Sequence, residues 1–395
     1  MCDTMWTFEA LDSLFFRDGR PMNAGESCWL ESVFPPTGYT LQGAIRAAIL
    51  DSVGADIKAF QEGKPCLWDG SSLNDEIGDG RNIGRLKLSG PFLGFKDTFL
   101  FPSPLDLVQQ KESGKLGLLK PGTPALSDLA SHPVKVPYII GKGYKVVKEK
   151  YISRRVFESI LNGEIPPSDS RVLVPLYGEN EDLDTAALLF REYKVGLARD
   201  NATKQNKEGM LYVISKVRPT AELKICVKVS GVESGHQPGK DKLLLGKLGG
   251  EGKLALISVK EWKEEDVLPK APSLQPVNGA LRFKIVFTTS ALMVEKGWLP
   301  KGFEECQSNG TAYWKGEVDS CKFSIISACI GKPVRICGWN LAERKPKALK
   351  FAIPAGSVYF CETSTEHGCD VLGLHGKHIG QETEYGFGHI LIGKW

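Results

Sequence analysis

The sequence predicts an α+β protein in which short strands outnumber helices. Two observations support this class. Apolar and polar residues alternate over several segments, such as Glu222–Val229, where every second residue is apolar. The segment Thr40–Leu50 instead repeats apolar residues at the period of a helix.

The composition bounds the size and class of the protein. A chain of 395 residues is long enough for two or three domains, and 42% hydrophobic with 25% charged residues is typical of a globular protein. The formal charge of +3 predicts neither nucleic-acid nor membrane binding, so any such surface must come from local charge clusters. The 43 glycines indicate sharp turns or close approach of the backbone to a ligand.

The same sequence carries no targeting signal that we recognise. Met1–Trp6 lacks the basic region and apolar core of a signal peptide, and no apolar run approaches the ~20 residues of a membrane helix. Ten cysteines without such a signal indicate mostly free, buried thiols. We therefore expect a soluble cytoplasmic protein.

The first elements are a strand and a helix. Trp6, Phe8 and Ala10 alternate with polar residues and predict a strand with one buried face. Pro35 and Pro36 keep the segment before the first predicted helix extended, and Gly38 permits a turn. Thr40 is the expected N-cap of that helix. Its predicted apolar face is Leu41, Ala44, Ile45, Ala48 and Ile49.

Gln42 and Arg46 lie four residues apart on another stripe of this helix and are expected to point outward. With the free N–H groups of the helix N-terminus, they predict an anion site. An ordinary amphipathic helix after a Pro-rich turn is the alternative.

The order of residues in this region resembles a known family. Phe34–Pro36 followed by Thr40–Arg46 is similar to the first helix of the RAMP family of CRISPR RNA-binding proteins. Phe15–Pro21 narrows the resemblance to the third-subunit family of the Cmr complex, the type III-B CRISPR effector. Residues 194–214 and 354–360, and the C-terminal glycine loop at 386–389, extend it over most of the chain.

The resemblance implies two ferredoxin-like (RRM-like) domains with long inserted loops. We place them at residues 1–268 and 269–395, because Pro269, Pro272 and Pro276 mark the clearest linker. It also implies a non-catalytic subunit of an antiviral ribonucleoprotein, without a cofactor. This subunit would grip the 5′ handle of the CRISPR RNA and join the large polymerase/cyclase-like subunit to the backbone RAMP subunits.

Residues 65–133 are harder to assign. Lys87–Phe95 is predicted to be a strand broken at Pro91, and the remainder is predicted to form long loops. The following segment, Lys135–Arg155, is basic and carries interleaved tyrosines at 138, 144 and 151. That pattern is typical of a single-strand binding surface, and a solvated lysine face is the alternative.

A short helix is predicted after this basic segment. Ser153 is the expected cap, Phe157, Ile160 and Leu161 face inward, and Gly163 ends it. Further on, Lys194–Thr203 and Glu208–Ile214 predict two strands with a basic connection. Later strands are expected at Leu254–Val259, Leu281–Thr288, Val334–Trp339, Val358–Glu362 and His389–Gly393, whereas Lys322–Ile330 is ambiguous.

The glycine loop Gly246–Lys253 fits no cofactor motif. A phosphate loop would need a glycine at Lys247 and a hydroxyl at Leu254, and a dinucleotide fingerprint would need a helix where Leu254–Val259 reads as a strand. Two alternatives remain, a plain hairpin turn and a loop that a nucleic-acid backbone approaches closely.

Two other chemistries have candidate residues in the sequence. His389 follows the C-terminal glycine loop and could act as the general base of a ribonuclease that processes CRISPR precursor RNA, but no complete catalytic set is recognisable. Cys361, His367, Cys369 and His375, with His378, could bind zinc, although their spacing matches no usual zinc site. The alternative to a zinc site is a set of buried thiols near surface histidines. For the whole chain, a purely structural adaptor that touches only proteins is a further alternative.

The sequence thus predicts no catalytic residue and a set of RNA-binding residues. These are Arg17, Thr37, Thr40, Gln42, Arg46, Arg154, Arg155, Arg199, Lys204, Lys207, Lys247, Gly249, Gly250, Gly252, Lys253, Gly386, Gly388 and His389.

Overall fold

The computed structural model describes residues 3–19, 28–68, 71–79, 82–168, 172–178, 187–200, 202–203, 205–239, 242–340, 343, 345–364 and 370–395. Strands account for 45% of the chain and helices for 12%. The prediction of a mixed protein in which strands outnumber helices is therefore confirmed. Among the described residues, no helix is both long and apolar enough to cross a membrane.

The first half of the chain contains four helices and thirteen strands in the described ranges. In order they are β1 (Thr4–Ala10), β2 (Cys28–Glu31), α1 (Gly38–Ser52), α2 (Ile57–Gln61), β3 (Leu67–Trp68), β4 (Ser71–Ser72), α3 (Leu73–Ile77), β5 (Lys87–Phe95), β6 (Thr98–Pro102), β7 (Leu107–Gln110), β8 (Leu116–Leu118), β9 (Lys120–Ala125), β10 (Val134–Tyr138), β11 (Tyr144–Val146), β12 (Lys150–Ser153), α4 (Arg154–Leu161) and β13 (Val174–Pro175).

The second half is almost entirely β. Its described elements are β14 (Leu189–Arg199), β15 (Asn206–Pro219), β16 (Leu223–Ser230), β17 (Leu244–Lys247), β18 (Leu254–Glu261), α5 (Glu264–Val267), β19 (Ala280–Phe287), β20 (Glu304–Ser308), β21 (Thr311–Val318), β22 (Cys321–Cys329), β23 (Val334–Ile336), β24 (Trp339–Asn340), β25 (Lys345–Pro346), β26 (Lys350–Ala352), β27 (Val358–Ser364), β28 (Tyr385–Gly386) and β29 (Ile390–Gly393). Single 3-10 turns occur at Ser234–His236 and Leu372–Leu374.

The chain divides into two compact units that are interleaved in sequence. The first unit comprises residues 1–97, 175–262 and 335–350, and the second comprises 98–174, 263–334 and 351–395. Residues 98–174, which the predicted division at 268 assigns to the first domain, thus belong to the second unit.

The first unit is built on an antiparallel sheet with the strand order β5-β16-β1-β18-β17. Its central strand carries Trp6 and Phe8, which are buried, and Trp6 lies opposite Val227 on one side and Val259 on the other. Helix α1 contacts β5 and β17 of this sheet. A separate three-stranded sheet in the same unit has the order β14-β15-β2.

The second unit contains a sheet with the order β29-β19-β27-β22-β21-β10-β9, and β20 also pairs with β21. Its core includes Phe283, Trp314, Phe323 and Tyr359, which are all buried. Helix α4 contacts β6, β12 and β29.

Helix α1 differs from its prediction at the N-terminus. It begins at Gly38 and is preceded by Thr37 as N-cap, so the predicted cap at Thr40 is wrong. The predicted apolar face is confirmed, since all five of its residues are buried. Gln42 is also buried, at 6% exposure, which contradicts the prediction that it points outward.

The predicted loops between residues 65 and 133 are largely strands. The segment contains β3 to β9 and α3, which short, Pro- and Gly-interrupted patterns did not reveal. Strand β5 continues through Pro91 rather than breaking there. Its register with β16 shifts between Ser89 and Phe92, so the ladder accommodates a residue that has no N–H.

Other element predictions are confirmed. Helix α4 follows Ser153, whose hydroxyl accepts a bond from the Val156 N–H, and Gly163 follows the helix with φ +80°. Strands are present at the predicted positions of β1, β14 to β16, β18, β19, β27 and β29. The ambiguous segment at 322–330 is strand β22.

Candidate nucleic-acid interface

The glycine loop at 246–253 is a hairpin connection in the first unit. Strands β17 and β18 pair antiparallel, and the Leu248 N–H donates to the Lys253 carbonyl at 2.9 Å. Because a strand rather than a helix follows the loop, the dinucleotide fingerprint is excluded.

Two of the loop glycines serve close packing against the protein's own backbone. Gly249 has φ +82°, and a Cβ there would lie 2.5 Å from the carbonyl oxygen of Phe15. The Gly250 N–H donates to that same oxygen at 2.8 Å. Gly252 also has positive φ, but a Cβ there would meet no atom within 4 Å. Among the glycines of this loop, only Gly252 therefore combines a positive φ with open space around a Cβ position.

Lys253, at the end of this loop, is tied to the segment that follows β1. Its Nζ donates to Asp12 Oδ2 at 3.0 Å and to Ser13 Oγ at 3.1 Å. Arg218 lies 2.8 Å from the other oxygen of Asp12. The hydrogen bond from Lys253, with the Ser13 N–H, lowers the pKa of the Asp12 carboxyl to about 2.

Three lysines meet beside this loop. Burial lowers the pKa of Lys216, and the positive charges of Lys253 and Lys194 lower it further. Glu251, whose carboxylate lies 3.9 Å from Lys194 Nζ, opposes that effect only in part. We call Lys194, Lys216 and Lys253 the lysine cluster. A bound anion would relieve the repulsion among these three ammonium groups, so the lysine cluster is a candidate phosphate site.

The register of the β14–β15 ribbon explains why these lysines converge. Lys194 of β14 lies opposite Ile214 of β15, and Lys216 is two residues beyond Ile214 on β15. Lys194, Ile214 and Lys216 therefore share one face of the ribbon. Ile214 packs with Phe15 and Leu30, so this face is directed toward the Phe15 segment that the glycine loop contacts.

The opposite face of the ribbon is apolar and exposed. It is formed by Trp29, Tyr193, Val195, Leu197 and Leu211, with exposures between 44% and 63%. The rings of Trp29 and Tyr193 are 5.5 Å apart. We call these five residues the apolar face. Exposed patches of this kind are typical of protein interfaces and of stacking platforms for bases.

Arg46 has a role that the sequence analysis did not predict. Its guanidinium donates to the carbonyl oxygens of Ile77, Asp79 and Asn82, the second at 3.0 Å. A guanidinium has five N–H donors, and three carbonyl groups engage most of them. The prediction of a phosphate ligand is therefore corrected: Arg46 organises the loop after α3. Thr37 and Thr40 lie nearby at the start of α1, each partly buried.

The remaining predicted cations are dispersed. Arg17 is exposed and follows Phe16, whose ring a Cβ at Gly249 would approach. Lys247 is exposed at the end of β17. Lys204 and the side chains of Arg199 and Lys207 lie outside the described residues.

In the second unit, Arg154 Nη1 donates to the Asp266 carbonyl at 2.9 Å, whereas Arg155 is exposed. Of the interleaved tyrosines, Tyr151 is buried and Tyr138 is exposed. The basic segment is therefore not one continuous binding surface.

The C-terminal glycine loop packs inside the second unit. A Cβ at Gly388 would lie 1.9 Å from the Ile379 carbonyl oxygen, and Gly386 is buried with φ +87°. His389 is only 1% exposed, and its Nδ1 lies 2.6 Å from Thr288 Oγ1. The prediction of RNA contacts for Gly386, Gly388 and His389 is corrected, because all three residues are buried.

The predicted zinc ligands are not assembled among the described residues. His375 accepts from the Ile392 N–H at Nδ1, and its Nε2 lies 2.9 Å from the Pro269 carbonyl, so both ring nitrogens are engaged. Cys361 is buried in the core, and burial raises its thiol pKa well above the ordinary value. His367 and Cys369 lie outside the described residues. Cys321 is disulfide-bonded, which the sequence analysis did not predict.

A grouping that sequence reasoning missed lies in the first unit. Glu76 is fully buried, and its carboxylate accepts from Arg85 and from the Glu233 N–H and lies 3.0 Å from His236 Nδ1. These contacts satisfy the buried carboxylate within the protein.

The comparison with protein families decides the class of the protein. The family model for CRISPR-associated protein (Cas_Cmr3) matches residues 6–395. This chain belongs to that family. It is therefore a subunit of a type III CRISPR effector complex, and the resemblance found in the sequence is confirmed.

Solved structures of type III complexes are similar to the Cas_Cmr3 chain at low identity. A chain of the type III-B Cmr-beta complex bound to cognate target RNA and AMPPnP is 14% identical, with a TM-score of 0.46, over 90% of this chain and 86% of that one. A chain of the type III-A Csm3–Csm4 subcomplex is 12% identical, with a TM-score of 0.38, over 90% and 92% of the two chains. No curated protein matches the sequence.

Within this Cas_Cmr3 chain, sequence reasoning missed Lys194 and Lys216 as site residues. Lys194 begins one predicted strand and Lys216 lies two residues beyond the end of the next, and an isolated lysine at either position carries no signal. Their convergence with Lys253 depends on the ribbon register and on the hairpin contact with Phe15.

Proposed function

We propose that this Cas_Cmr3 chain is a non-catalytic RNA-binding subunit that grips the 5′ handle of the CRISPR RNA. The observation that carries the proposal is the lysine cluster beside the open side of the glycine loop. Burial lowers the pKa of Lys216, and the positive charges of Lys253 and Lys194 lower it further, so a bound anion is favoured there. A phosphate of the RNA backbone is the anion that a CRISPR effector supplies.

We also infer two ferredoxin-like domains, which the strand orders support. In that fold the first strand lies between the third and the fourth, and the second lies outside the third. In the first unit, β1 lies between β16 and β18, with β5 outside β16. In the second, β19 lies between β27 and β29, with β22 outside β27. Loops and β-hairpins replace most of the helices.

The bridging part of the proposal rests on the apolar face. Five exposed apolar residues on one side of a ribbon favour burial against a partner, and the polymerase/cyclase-like subunit and the backbone RAMP subunits are the partners we propose. Val195→Asp, at 63% exposure, should lower the yield of assembled complex without unfolding the chain. Unchanged assembly would contradict this role.

Burial of His389 supports the absence of ribonuclease activity, because a general base must reach the RNA. Incubation of the isolated chain with repeat RNA tests this point. Specific cleavage that disappears in His389→Ala would overturn the proposal in favour of a processing nuclease.

The RNA-binding proposal is tested by charge reversal. Lys216→Glu should weaken binding of handle RNA at least roughly tenfold and reduce the magnitude of the salt slope of log affinity by about one. Lys58→Glu, an exposed lysine on α2 of the same unit, is the matched control and should leave both unchanged. Equal affinities for the two variants would remove the lysine cluster from the interface.

A further inference from the structure

A cleft of about 600 Å³ lies on the second unit, apart from the lysine cluster. Strands β21, β22 and β27 line it, together with Lys135 of β10 and the turn at 278–279 before β19. We call it the second-unit cleft. Its volume lies within the roughly 300–1,000 Å³ of pockets that hold drug-sized ligands, so it has room for a group of nucleotide size.

The floor of the second-unit cleft is the face of the sheet that points away from the core. In β21, Tyr313 and Lys315 flank Trp314, which is 1% exposed. Successive side chains of a strand point to opposite faces, so Tyr313 and Lys315 lie on the outer face. Lys315 is opposite Ser324 of β22, which in turn is opposite Glu362 of β27. These three residues form a row across three strands.

The cleft carries more positive than negative charge. Three lysines from three strands line it, namely Lys135, Lys315 and Lys322. Glu362 is the one carboxylate among the lining residues, and Arg282 neutralises it, because Arg282 Nε donates to Glu362 Oε1 at 3.0 Å. Lys322 lies 4.0 Å from Glu317, but within the described part of the chain no carboxylate pairs with Lys135 or Lys315. A ligand with more than one negative charge is therefore favoured.

Tyr313 adjoins two of these lysines on the outer face. Val134 of β10 pairs with Ala312 of the parallel strand β21. The next residue along each strand, Lys135 and Tyr313, therefore shares that face, and Lys315 follows two residues later. The Tyr313 ring is partly exposed, and among the described residues no other ring or cation packs on it. An open aromatic ring between cations is typical of surfaces that bind single-stranded nucleic acid.

Hydroxyl and amide side chains complete the lining. Ser308, Asn309 and Ser324 are among them. Such groups can donate to and accept from the edges of bases and the ribose 2′-hydroxyl. In a double helix the bases are paired and stacked on one another, so only an unpaired base is available to the Tyr313 ring.

We propose that the second-unit cleft binds single-stranded RNA outside the 5′ handle. One base stacks on Tyr313, and the flanking phosphates lie on Lys135 and Lys315. The site goes beyond the proposed handle binding, since it needs neither the lysine cluster nor the handle sequence. An acidic peptide would use the same lysines without needing an aromatic ring, so substitutions of Tyr313 distinguish the two ligands.

Fluorescence anisotropy of a short labelled single-stranded RNA that lacks the handle sequence tests the charges, with the full-length chain as the binding partner. Lys135→Glu and Lys315→Glu should each weaken binding at least roughly tenfold and reduce the magnitude of the salt slope of log affinity by about one. Lys301→Glu, an exposed lysine that does not line the cleft, is the control and should bind as the unmodified chain does. Equal affinities of the two lysine variants and this control would overturn the proposal.

The stacking contact is tested at Tyr313. Tyr313→Leu should weaken RNA binding at least roughly fivefold, whereas Tyr313→Phe keeps the ring and should bind as the unmodified chain does. Thermal unfolding checks both variants, and if either unfolds the lysine variants decide the matter. Equal RNA affinities of the folded leucine and phenylalanine variants would overturn the stacking contact and favour an acidic peptide.

Photocrosslinking locates the RNA directly. RNA that carries 5-iodouridine crosslinks on irradiation to an aromatic residue stacked on the base, so mass spectrometry should find the adduct on the peptide that contains Tyr313. Adducts confined to other peptides would overturn the proposal. Displacement of the RNA by an equimolar amount of UMP would show that a free nucleotide suffices, which would also overturn it.

Lys216→Glu in the first unit separates this site from the proposed handle binding. It should leave the Tyr313 adduct with handle-free RNA in place, whereas Lys315→Glu should diminish that adduct. Loss of handle-free RNA binding in Lys216→Glu but not in Lys315→Glu would assign this RNA to the lysine cluster. That result would overturn the second-unit site and leave the proposed function standing.

Discussion

The ammonium of Lys253 lies 3.0 Å from Asp12 Oδ2, which ties the glycine hairpin to the segment that follows the central strand of the first unit. The same lysine contributes to the lowered pKa of Lys216. One side chain therefore holds the loop in place and maintains the positive potential beside it.

The pKa of Asp12 gives the first prediction. It is lowered to about 2, against an ordinary value near 3.9, so the pair's contribution to stability is present above about pH 4 and is lost as the pH falls toward 2. Lys253→Met should return the Asp12 pKa toward its ordinary value, because the hydrogen bond from Nζ is its largest cause. A carboxyl NMR titration measures this, and an unchanged pKa would contradict the pairing.

Lys216 provides a prediction of the same sign in a higher pH range. Its pKa is lowered by folding, so the unfolded chain binds more protons between the lowered value and about 10.4, and stability should rise with pH through that window. A bound phosphate should raise the pKa again. RNA binding in this window should therefore take up protons, which calorimetry in buffers of different ionisation enthalpy detects. The uptake should diminish in Lys216→Met.

Arg46 is predicted to stabilise the protein. Arg46→Met leaves three carbonyl acceptors in the loop after α3 without their donor, and we expect a loss of about 2–4 kcal/mol in the free energy of unfolding. Hydrogen exchange should become faster in residues 77–79 and 82–85. Lys58→Met is the control, and equal stability of the two variants would contradict this role.

The glycines provide a matched pair of substitutions. Gly388→Ala would place Cβ 1.9 Å from the Ile379 carbonyl and should prevent folding or destabilise the second unit severely. Gly252→Ala has similar positive φ but open space, so only backbone strain of about 1 kcal/mol is expected. Thermal unfolding compares them. Similar losses of stability in the two variants would mean that the positive φ, rather than the space available to a Cβ, governs both positions.

Periodicity predicted elements well where local residues decide the outcome. The face of α1 from Leu41 to Ile49 and the Ser153 cap of α4 follow from spacing and from one hydroxyl. Residues 65–133 were predicted poorly, because all their strands except β5 have two to six residues and are too short for alternation to emerge. Arg46 was misassigned because its partners lie more than thirty residues away in sequence.

By itself the sequence determined the family, the α+β class and many of the longer strands and helices, because these depend on residue order and local pattern. Only the tertiary structure decided which charges meet. Lys194, Lys216 and Lys253 converge through a ribbon register, and Asp106 meets Lys284 across 178 residues. Charge acts through distance in space, and the loops that bring these side chains together leave no periodic trace in the chain.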